Sequence, residues 1–209
     1  MNFIYDSETY PNFFSIGFMN AANGERRTYE ISDRRNDGAD LAAFVTWASN
    51  TGATFVGFNN LGFDYPVLHH WFLNWAPGTG PEVPYVKAME IINSGFEDRF
   101  KHNVWPSDQV VKQLDLFKIH HFDNVARATS LKVLEFNMRS PSVEDLPFAP
   151  GTELTDEQKD ITLAYMWTDI CETARFAEKS SKMIDFRTEL SAKYGRDFMN
   201  HNDTKIGKD

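Results

Sequence analysis

The chain has 209 residues and a formal net charge of −9, with 42% hydrophobic and 14% aromatic residues. This length supports one sizeable core, so we predict a single domain over residues 1–209, with its core at about 2–180 and a C-terminal helix and tail at 181–209. The acidic balance excludes broad coating of duplex nucleic acid, which needs a basic face. It does not exclude a protein that grips a few nucleotides, because metal ions can supply positive charge.

Cys171 is the single cysteine, which excludes a disulfide framework and a cysteine-based zinc site and fits a reducing compartment. The N-terminus enters a predicted strand without a basic segment or an apolar signal region. No apolar run is long enough to span a bilayer. We therefore expect a soluble, cytoplasmic protein with no membrane partner.

The chain begins with three predicted strands, at residues 2–6, 13–19 and 27–31. Turn-forming residues separate them, first Pro11-Asn12 and then Ala21-Ala22-Asn23-Gly24. Short connections of this kind join neighbouring antiparallel strands, so these elements predict a meander.

Helices and two further strands follow the meander. Asp40 is expected to N-cap the first helix, and Gly52 to end it before a wholly apolar strand at 54–58. Thr155 and Gln158 have the spacing of a capping box, which opens a long helix. The other elements are predicted as helices at 65–75, 85–93, 130–136 and 180–195, an irregular stretch at 94–109, a strand at 110–119 and a loop at 141–150.

This order of elements predicts an α/β fold with a mixed five-stranded sheet flanked by helices. An antiparallel meander followed by right-handed crossovers places the fourth and fifth strands parallel to the first. The carboxyl ends of strands one and four then lie side by side, and ligand sites in open α/β sheets favour such edges.

Asp6 and Glu8 lie two residues apart at the predicted end of the first strand. Residues i and i+2 of a strand share a face, so the two carboxylates project side by side. Because like charges repel and are costly to bury, a bound divalent cation is one explanation, and Mg²⁺ or Mn²⁺ prefers such oxygen ligands. The alternative is that both residues are exposed at a strand-to-turn boundary.

Two more motifs with an acidic residue occur later in the chain. Asp64 opens the helix after the fourth strand, and Gly62 lets the preceding loop turn closely. Tyr165 and Asp169 lie four residues apart on the last long helix and share one face. Each pattern also has a plain structural interpretation: Asp64 as a helix cap, Tyr165 as a core residue and Asp169 as a solvated one.

The order of the three motifs is more specific than any of them alone. In this order, the chain resembles the DEDDy branch of the DnaQ-like 3′–5′ exonucleases, which share the ribonuclease-H-like fold. It is particularly similar to the proofreading domain of bacteriophage family B DNA polymerases. The resemblance covers residues 2–180 and rests on Tyr5-Asp6-Ser7-Glu8-Thr9-Tyr10-Pro11-Asn12, Val56-Gly57-Phe58-Asn59-Asn60-Leu61-Gly62-Phe63-Asp64 and Tyr165-Met166-Trp167-Thr168-Asp169-Ile170-Cys171-Glu172-Thr173.

The resemblance implies roles for the motif residues. Asp6, Glu8, Asp64 and Asp169 would bind two divalent ions, Mg²⁺ or Mn²⁺, with Asp6 shared between them, and Tyr165 would orient the attacking water. The implied reaction is phosphodiester hydrolysis at the 3′ end of single-stranded or frayed DNA.

Substrate-binding residues are implied in the same way. Asn60 and Phe63, in the loop before the third acidic residue, are candidates for contact with the terminal bases, and Thr9 is a further candidate. Lys132 is a candidate for contact with a phosphate. Phe63 as a plain core residue and Lys132 as a solvated helix residue remain open alternatives.

The chain departs from the family pattern at Ser7, where an apolar residue is usual; we expect Ser7 to point away from the metals. Polymerase motifs are absent, so we expect either a stand-alone exonuclease or an excised domain, located in the host cytoplasm if phage-encoded. A DNA polymerase domain or a replication protein is the expected partner. The alternatives are an exoribonuclease or oligonucleotidase on the same fold, or a non-catalytic module that binds single strands or a polymerase.

Four other residues could act as metal ligands or catalytic groups, but we assign them structural roles. His120 and His121 end the predicted fifth strand without further metal ligands nearby in the sequence. Asp115 is expected to form hydrogen bonds at a strand edge, and Cys171 to be packed within its helix.

Overall fold

The computed structural model describes residues 1–95, 98, 100–122, 124, 129–138 and 146–208. Its strands are β1 (Asn2–Tyr10), β2 (Phe13–Asn20), β3 (Arg26–Ser32), β4 (Thr54–Gly57) and β5 (Lys112–Asp115). Its helices are α1 (Gly38–Thr51), α2 (Asp64–Asn74), α3 (Glu82–Ile92), α4 (Leu116–Ile119), α5 (Leu131–Asn137), α6 (Asp156–Lys179), α7 (Ser181–Tyr194) and α8 (Asp203–Ile206).

The strands form a five-stranded sheet in the order β3-β2-β1-β4-β5. β1 pairs antiparallel with β2, and β2 pairs antiparallel with β3. β4 lies parallel to both β1 and β5. The predicted fold class, a ribonuclease-H-like mixed sheet made of a meander and two parallel strands, is therefore confirmed.

β1 is longer than predicted, because its second half pairs with β2 across the tight turn at Pro11-Asn12. The pairing continues to Tyr10, which lies opposite Phe13. β4, in contrast, pairs with β1 only over residues 2–4. Residues 6–10 therefore extend beyond the end of β4 and pair only with β2, which in turn pairs with β3. Asp6 and Glu8 thus lie within a strand and still face an open sheet edge.

The alternation of β1 divides the core into two layers. Phe3 and Tyr5 face an aromatic layer under α1 and α2, where they join Phe18, Phe44 and Phe55. On the opposite face, Ile4, Val56 and Leu114 of the sheet pack in one cluster with Met166 and Ile170 of α6. Because side chains alternate along a strand, Asp6 and Glu8 share the α6 face with Ile4, whereas Ser7 lies on the side of Tyr5.

Helix starts and ends correct several predictions. α1 begins at Gly38, so Asp40 lies in its first turn and is not the N-cap. The N-cap is Asp37, whose carboxylate accepts a hydrogen bond from the backbone N–H of Glu30 instead of capping its helix. The predicted end of this helix at Gly52 is confirmed, with a left-handed φ of 66°.

The predicted fifth strand is too long. Only Lys112–Asp115 is extended, and Leu116–Ile119 forms a short helix because the Asp115 side chain accepts a hydrogen bond from the N–H of Phe117 and caps it. The capping box of Thr155 and Gln158 is confirmed at the start of α6. The C-terminal helical segment is a separate helix, α7, which starts after Ser180.

Part of the predicted loop at 141–150 lies outside the described residues, namely 141–145. Among the helices that the structure describes, none combines the length and the apolar character needed to cross a membrane.

Candidate active site

Asp6, Glu8 and Asp169 converge beyond the end of β4. Each offers a carboxylate oxygen, and these oxygens all lie within 4.8 Å of one another. Asp6 and Glu8 come from β1, whereas Asp169 comes from α6. Residues distant in the sequence therefore form one acidic cluster, and its three carboxylates are enough ligands to hold a cation.

A glycine allows α6 to approach the sheet at this point. Gly17 lies directly opposite Asp6 in the pairing of β1 with β2. A Cβ atom at Gly17 would lie 2.5 Å from Cδ1 of Ile170 and 2.9 Å from Cε of Met166. A larger residue at this position would force the ends of the Ile170 and Met166 side chains to move, so Gly17 leaves room for the close packing of α6 on β2.

Burial and mutual repulsion disfavour negative charge in the cluster. Desolvation raises the pKa of Asp6 well above its usual value, and the charges of Asp64, Asp169 and Glu8 raise it further. Desolvation also raises the pKa of Glu8, followed by the charges of Asp169 and Asp64, while Lys132 acts in the opposite direction. A bound cation would relieve both effects.

Tyr165 lies one helical turn before Asp169 on α6 and is buried. Desolvation raises its pKa, and so do the charges of Asp169 and Glu8 and a hydrogen bond with Asp169. The hydroxyl is therefore protonated at neutral pH and held beside the acidic cluster, where it can act as a hydrogen-bond donor or acceptor.

Lys132, on α5, reaches the same place. Its Nζ donates a hydrogen bond to the hydroxyl of Tyr165 at 3.2 Å and lies 5.1 Å from the centre of the Tyr165 ring. The side chain is thus docked on α6 and is not a solvated helix residue. It brings one positive charge to an otherwise acidic cleft.

Asp64 is the first residue of α2, and its side chain does not cap the helix. Its Oδ1 accepts hydrogen bonds from the hydroxyl of Ser7 at 2.6 Å and from the N–H of Ser7 at 3.2 Å. Ser7 therefore contacts one of the four candidate carboxylates, and its expected orientation away from the metals stays a prediction. The hydroxyl lies on the other face of β1 from Asp6, and this is the face that Asp64 approaches.

Burial raises the pKa of Asp64 to about 7, although the hydrogen bonds from Ser7 lower it. Asp64 also makes the largest charge contribution to the raised pKa of Asp6, so the two carboxylates interact. The close oxygen cluster consists of Asp6, Glu8 and Asp169, and Asp64 approaches it from the opposite face of β1.

The loop between β4 and α2 is compact. A Cβ atom at Gly62 would lie 2.6 Å from Oδ1 of Asn59, so the tight packing expected there is present. Asn60 is fully buried, and its Nδ2 donates to Oε1 of Gln113 at 2.9 Å. Asn60 is therefore held in the interior of the loop, and its contact with substrate stays a prediction.

The other two substrate candidates are partly buried. Phe63 packs against the aromatic layer, in agreement with the alternative that it is a core residue. Thr9 has a buried Oγ1 with no hydrogen-bond partner in the part of the chain that is described. The structure shows no contact that gives either residue a role with substrate.

Sequence reasoning assigned Asp115 only an edge role and overlooked Gln113. Asp115 is fully buried and accepts hydrogen bonds from the N–H groups of Asn59 at 2.8 Å and Leu61 at 3.2 Å. Gln113 accepts from the hydroxyl of Tyr5 at 2.9 Å as well as from Asn60. The signal was their i, i+2 spacing, which places both side chains on one face of β5.

The remaining polar candidates have structural surroundings. His120 contacts the hydroxyl of Ser180 at 2.8 Å and stacks on Phe122. Cys171 is partly buried and accepts a hydrogen bond from Arg26 at 3.2 Å. Both observations agree with the structural roles assigned to these residues.

Comparison by sequence finds no matching family model and no significantly similar curated protein. Comparison of structures finds a family B DNA polymerase from the hyperthermophilic archaeon Pyrobaculum calidifontis, with 16% identity and a TM-score of 0.49. The match covers 86% of this chain and 24% of the polymerase.

Two further neighbours are structures of E. coli exonuclease I. The zinc-bound form in complex with single-stranded DNA has 13% identity and a TM-score of 0.42, with 91% of this chain and 44% of that chain covered. The complex with a dA16 oligonucleotide has 13% identity and a TM-score of 0.36, with 90% and 43% covered. The present chain therefore spans less than half the length of each of these proteins.

Proposed function

We propose that this chain is a metal-dependent 3′–5′ exonuclease of the DEDDy type, which removes nucleotides from single-stranded or frayed DNA 3′ ends. We propose further that residues 1–209 form one exonuclease domain that acts in bacteriophage DNA replication as a proofreading activity. The observation that carries the proposal is the convergence of Asp6, Glu8 and Asp169, three carboxylates from two separate motifs, within 4.8 Å.

The chemistry of this cluster fits a divalent cation. Carboxylate oxygen is the ligand that Mg²⁺ and Mn²⁺ prefer. Burial raises the pKa values of Asp6 and Glu8, and the negative charges of neighbouring carboxylates raise them further. Asp6, Glu8 and Asp169 would hold one ion, and Asp64 together with Asp6 would hold a second. When bound, such ions lower the pKa of a bound water and stabilise the charge that develops on a phosphodiester.

The chain's own side chains position the reactants. The hydroxyl of Tyr165, held beside Asp169, would hydrogen-bond the attacking water and orient its lone pair towards phosphorus. The Lys132 ammonium, 3.2 Å from this hydroxyl, would attract a phosphate oxygen into the acidic cleft. Because each role requires an aligned geometry, loss of any one carboxylate is expected to cost several kcal/mol of transition-state stabilisation.

The test follows the release of nucleotides from single-stranded DNA labelled at its 3′ end, in Mg²⁺, in Mn²⁺ and in EDTA. Wild type is expected to release 3′ nucleotides only with metal, and a 3′ phosphate is expected to block the reaction. The Asp6→Ala variant is expected to lose activity on the order of 10³-fold or more. Asp185→Ala removes an exposed carboxylate from α7 and serves as the matched control, with activity like wild type.

Matched RNA and DNA oligomers separate the two substrate classes. A strong preference for RNA would replace this proposal with an exoribonuclease on the same fold. Tight binding of single strands without turnover in Mn²⁺ would contradict the proposal and identify a non-catalytic binding module.

A further inference from the structure

The loop that leads to Asp64 is held by side chains of β5. Asp115 accepts the backbone N–H groups of Asn59 and Leu61 at 2.8 and 3.2 Å, and Gln113 accepts the side-chain amide of Asn60 at 2.9 Å. Every residue of the 59–61 loop is thus tied to one short strand. Asn59 has a φ of 58°, in the left-handed region, which asparagine adopts more readily than most other non-glycine residues.

β5 is the last strand of the sheet, so one of its edges has no neighbouring strand. Asn200, in the segment that follows α7, occupies this edge. Its Oδ1 accepts the N–H of Asp115 at 2.7 Å, and its Nδ2 donates to the backbone oxygen of Gln113 at 2.7 Å. The Asn200 amide therefore forms hydrogen bonds with two outward backbone groups of β5, as a further strand would.

The segment that carries Asn200 is itself anchored. Arg187, a buried residue of α7, donates from Nε to the backbone oxygen of His201 at 2.8 Å and from Nη2 to Oδ1 of Asp203 at 2.7 Å. Its Nη2 also donates to the backbone oxygen of Ile119 at 3.2 Å, just beyond β5. Phe198 is buried on the same segment. Contacts on both sides of Asn200 in the sequence, at Phe198 and at His201 and Asp203, therefore hold Asn200 against β5.

We infer that Asn200 is a positioning residue for the candidate active site: it fixes the edge of β5, whose Gln113 and Asp115 side chains fix the 59–61 loop and so place Asp64. The inference rests on the proposed function, because Asp64 is a site residue only under that proposal. It assigns the C-terminal segment a role in catalysis, although this segment does not approach the acidic cluster directly.

The physical reason is the length of β5. A strand of four residues at a sheet edge has few contacts to hold it, and such elements open locally at low free energy. When β5 frays, Asp115 and Gln113 release the loop, and Asn59 can leave its left-handed conformation. A displacement of about 1 Å at Asp64 is enough to reduce catalysis strongly.

The experiment compares Asn200→Ala with Asn202→Ala in the full chain. Asn202 is the matched control because its side chain caps α8 by accepting the N–H of Lys205 and does not contact β5. For Asn200→Ala we expect kcat on single-stranded DNA to fall about tenfold with KM changed less than twofold, at a temperature where both variants are folded. Asn202→Ala is expected to keep kcat within twofold of wild type.

Amide hydrogen exchange supplies a readout independent of activity. In Asn200→Ala, the amides of Asn59 and Leu61 are expected to exchange at least tenfold faster than in wild type, and in Asn202→Ala at unchanged rates. Unchanged exchange at both amides in Asn200→Ala would overturn the inference. So would faster exchange with an unchanged kcat, since the loop would then not govern the site. If wild type has no nuclease activity, the proposed function fails, and the exchange rates still decide whether Asn200 orders the loop.

Discussion

Two groups of buried carboxylates in this protein differ in what surrounds them. Asp115 accepts three backbone N–H groups, from Asn59, Leu61 and Phe117, and burial raises its pKa only to about 6. Burial raises the pKa values of Asp6 and Glu8, and the charges of neighbouring carboxylates raise them further. The chain provides hydrogen-bond donors for the structural carboxylate of Asp115. It places Asp6 and Glu8, the carboxylates proposed to bind a cation, near other negative charges.

The comparison separates structure from function within one small region. The two groups lie at the same end of the sheet, on β5 and β1, and both contain buried acids. Their replacement should therefore have opposite consequences: loss of stability for Asp115, and loss of activity without loss of stability for the cluster.

The largest expected effect is on activity. Glu8→Gln keeps the shape of the side chain and removes its charge, so it is expected to lower kcat on the order of 10³-fold under the proposed function. In EDTA at pH 8 the same variant is expected to be more stable than wild type by about 1–2 kcal/mol, because a repelled, buried charge has been removed. Urea unfolding measures the second quantity, and a clear loss of stability would contradict the interpretation of the cluster as metal-binding.

Asp115→Ala is expected to show the reverse pattern in urea unfolding. It leaves the N–H groups of Asn59, Leu61 and Phe117 without their acceptor, which should lower the free energy of unfolding by about 2–3 kcal/mol at pH 6. Asp115→Asn retains one acceptor oxygen and serves as the conservative control, with a smaller loss. A change below about 0.5 kcal/mol for the alanine variant would remove the contrast between the two groups.

The pH dependence of stability tests the cluster as a whole. The folded-state pKa values of Asp6, Glu8 and Asp64 are raised, to about 7 for Asp64, so the folded protein binds more protons than the unfolded chain above about pH 4. In EDTA the free energy of unfolding should therefore fall as pH rises from 5 to 7, by about 1.4 kcal/mol per pH unit for each proton of difference.

Urea unfolding at several pH values, with and without Mg²⁺, measures this slope. Mg²⁺ is expected to stabilise the protein most at pH 8, where the carboxylates are charged, and so to flatten the slope. Burial lowers the pKa values of His70, His102 and His120, which gives a slope of the opposite sign, so the slope is compared between wild type and Glu8→Gln. Identical slopes in the two proteins in EDTA would show that the cluster does not contribute.

The smallest effect is expected for Ser7→Ala. It removes the hydroxyl that donates to Asp64 at 2.6 Å but keeps the backbone hydrogen bond from the same residue at 3.2 Å. Activity is expected to fall about three- to tenfold, and stability by about 1 kcal/mol. Ser7→Thr retains the hydroxyl and is expected to recover most of the activity in the same 3′-end assay.

Much of the fold was predictable because its signals are local. Turn residues at Pro11-Asn12, the apolar strand at 54–58 and the capping box at Thr155 each specify one element from a few neighbouring residues. The end of β5 was not predictable in this way, since Asp115 stops the strand by capping α4, and an isolated Asp does not reveal which N–H it will accept.

The candidate site likewise has residues that the sequence predicted and residues that it did not. Strand periodicity predicted that Asp6 and Glu8 share a face, whereas the convergence of Asp169 with them was implied only by the resemblance to the exonuclease family. The partner of Asp64 and the burial of Asn60 depend on how a loop packs against β5 and β1. Asn200 is more than 80 residues from Gln113 in the chain, and no local pattern links them.

The part of β1 that extends beyond β4 limits how this scaffold can be altered in protein engineering. A single inserted residue between Ile4 and Asp6 would reverse the alternation, turning Asp6 and Glu8 towards the aromatic layer and Ser7 towards α6. Recombination or loop grafting within residues 4–10 must therefore preserve chain length, whereas changes of side chain at fixed length keep the two carboxylates on the correct side.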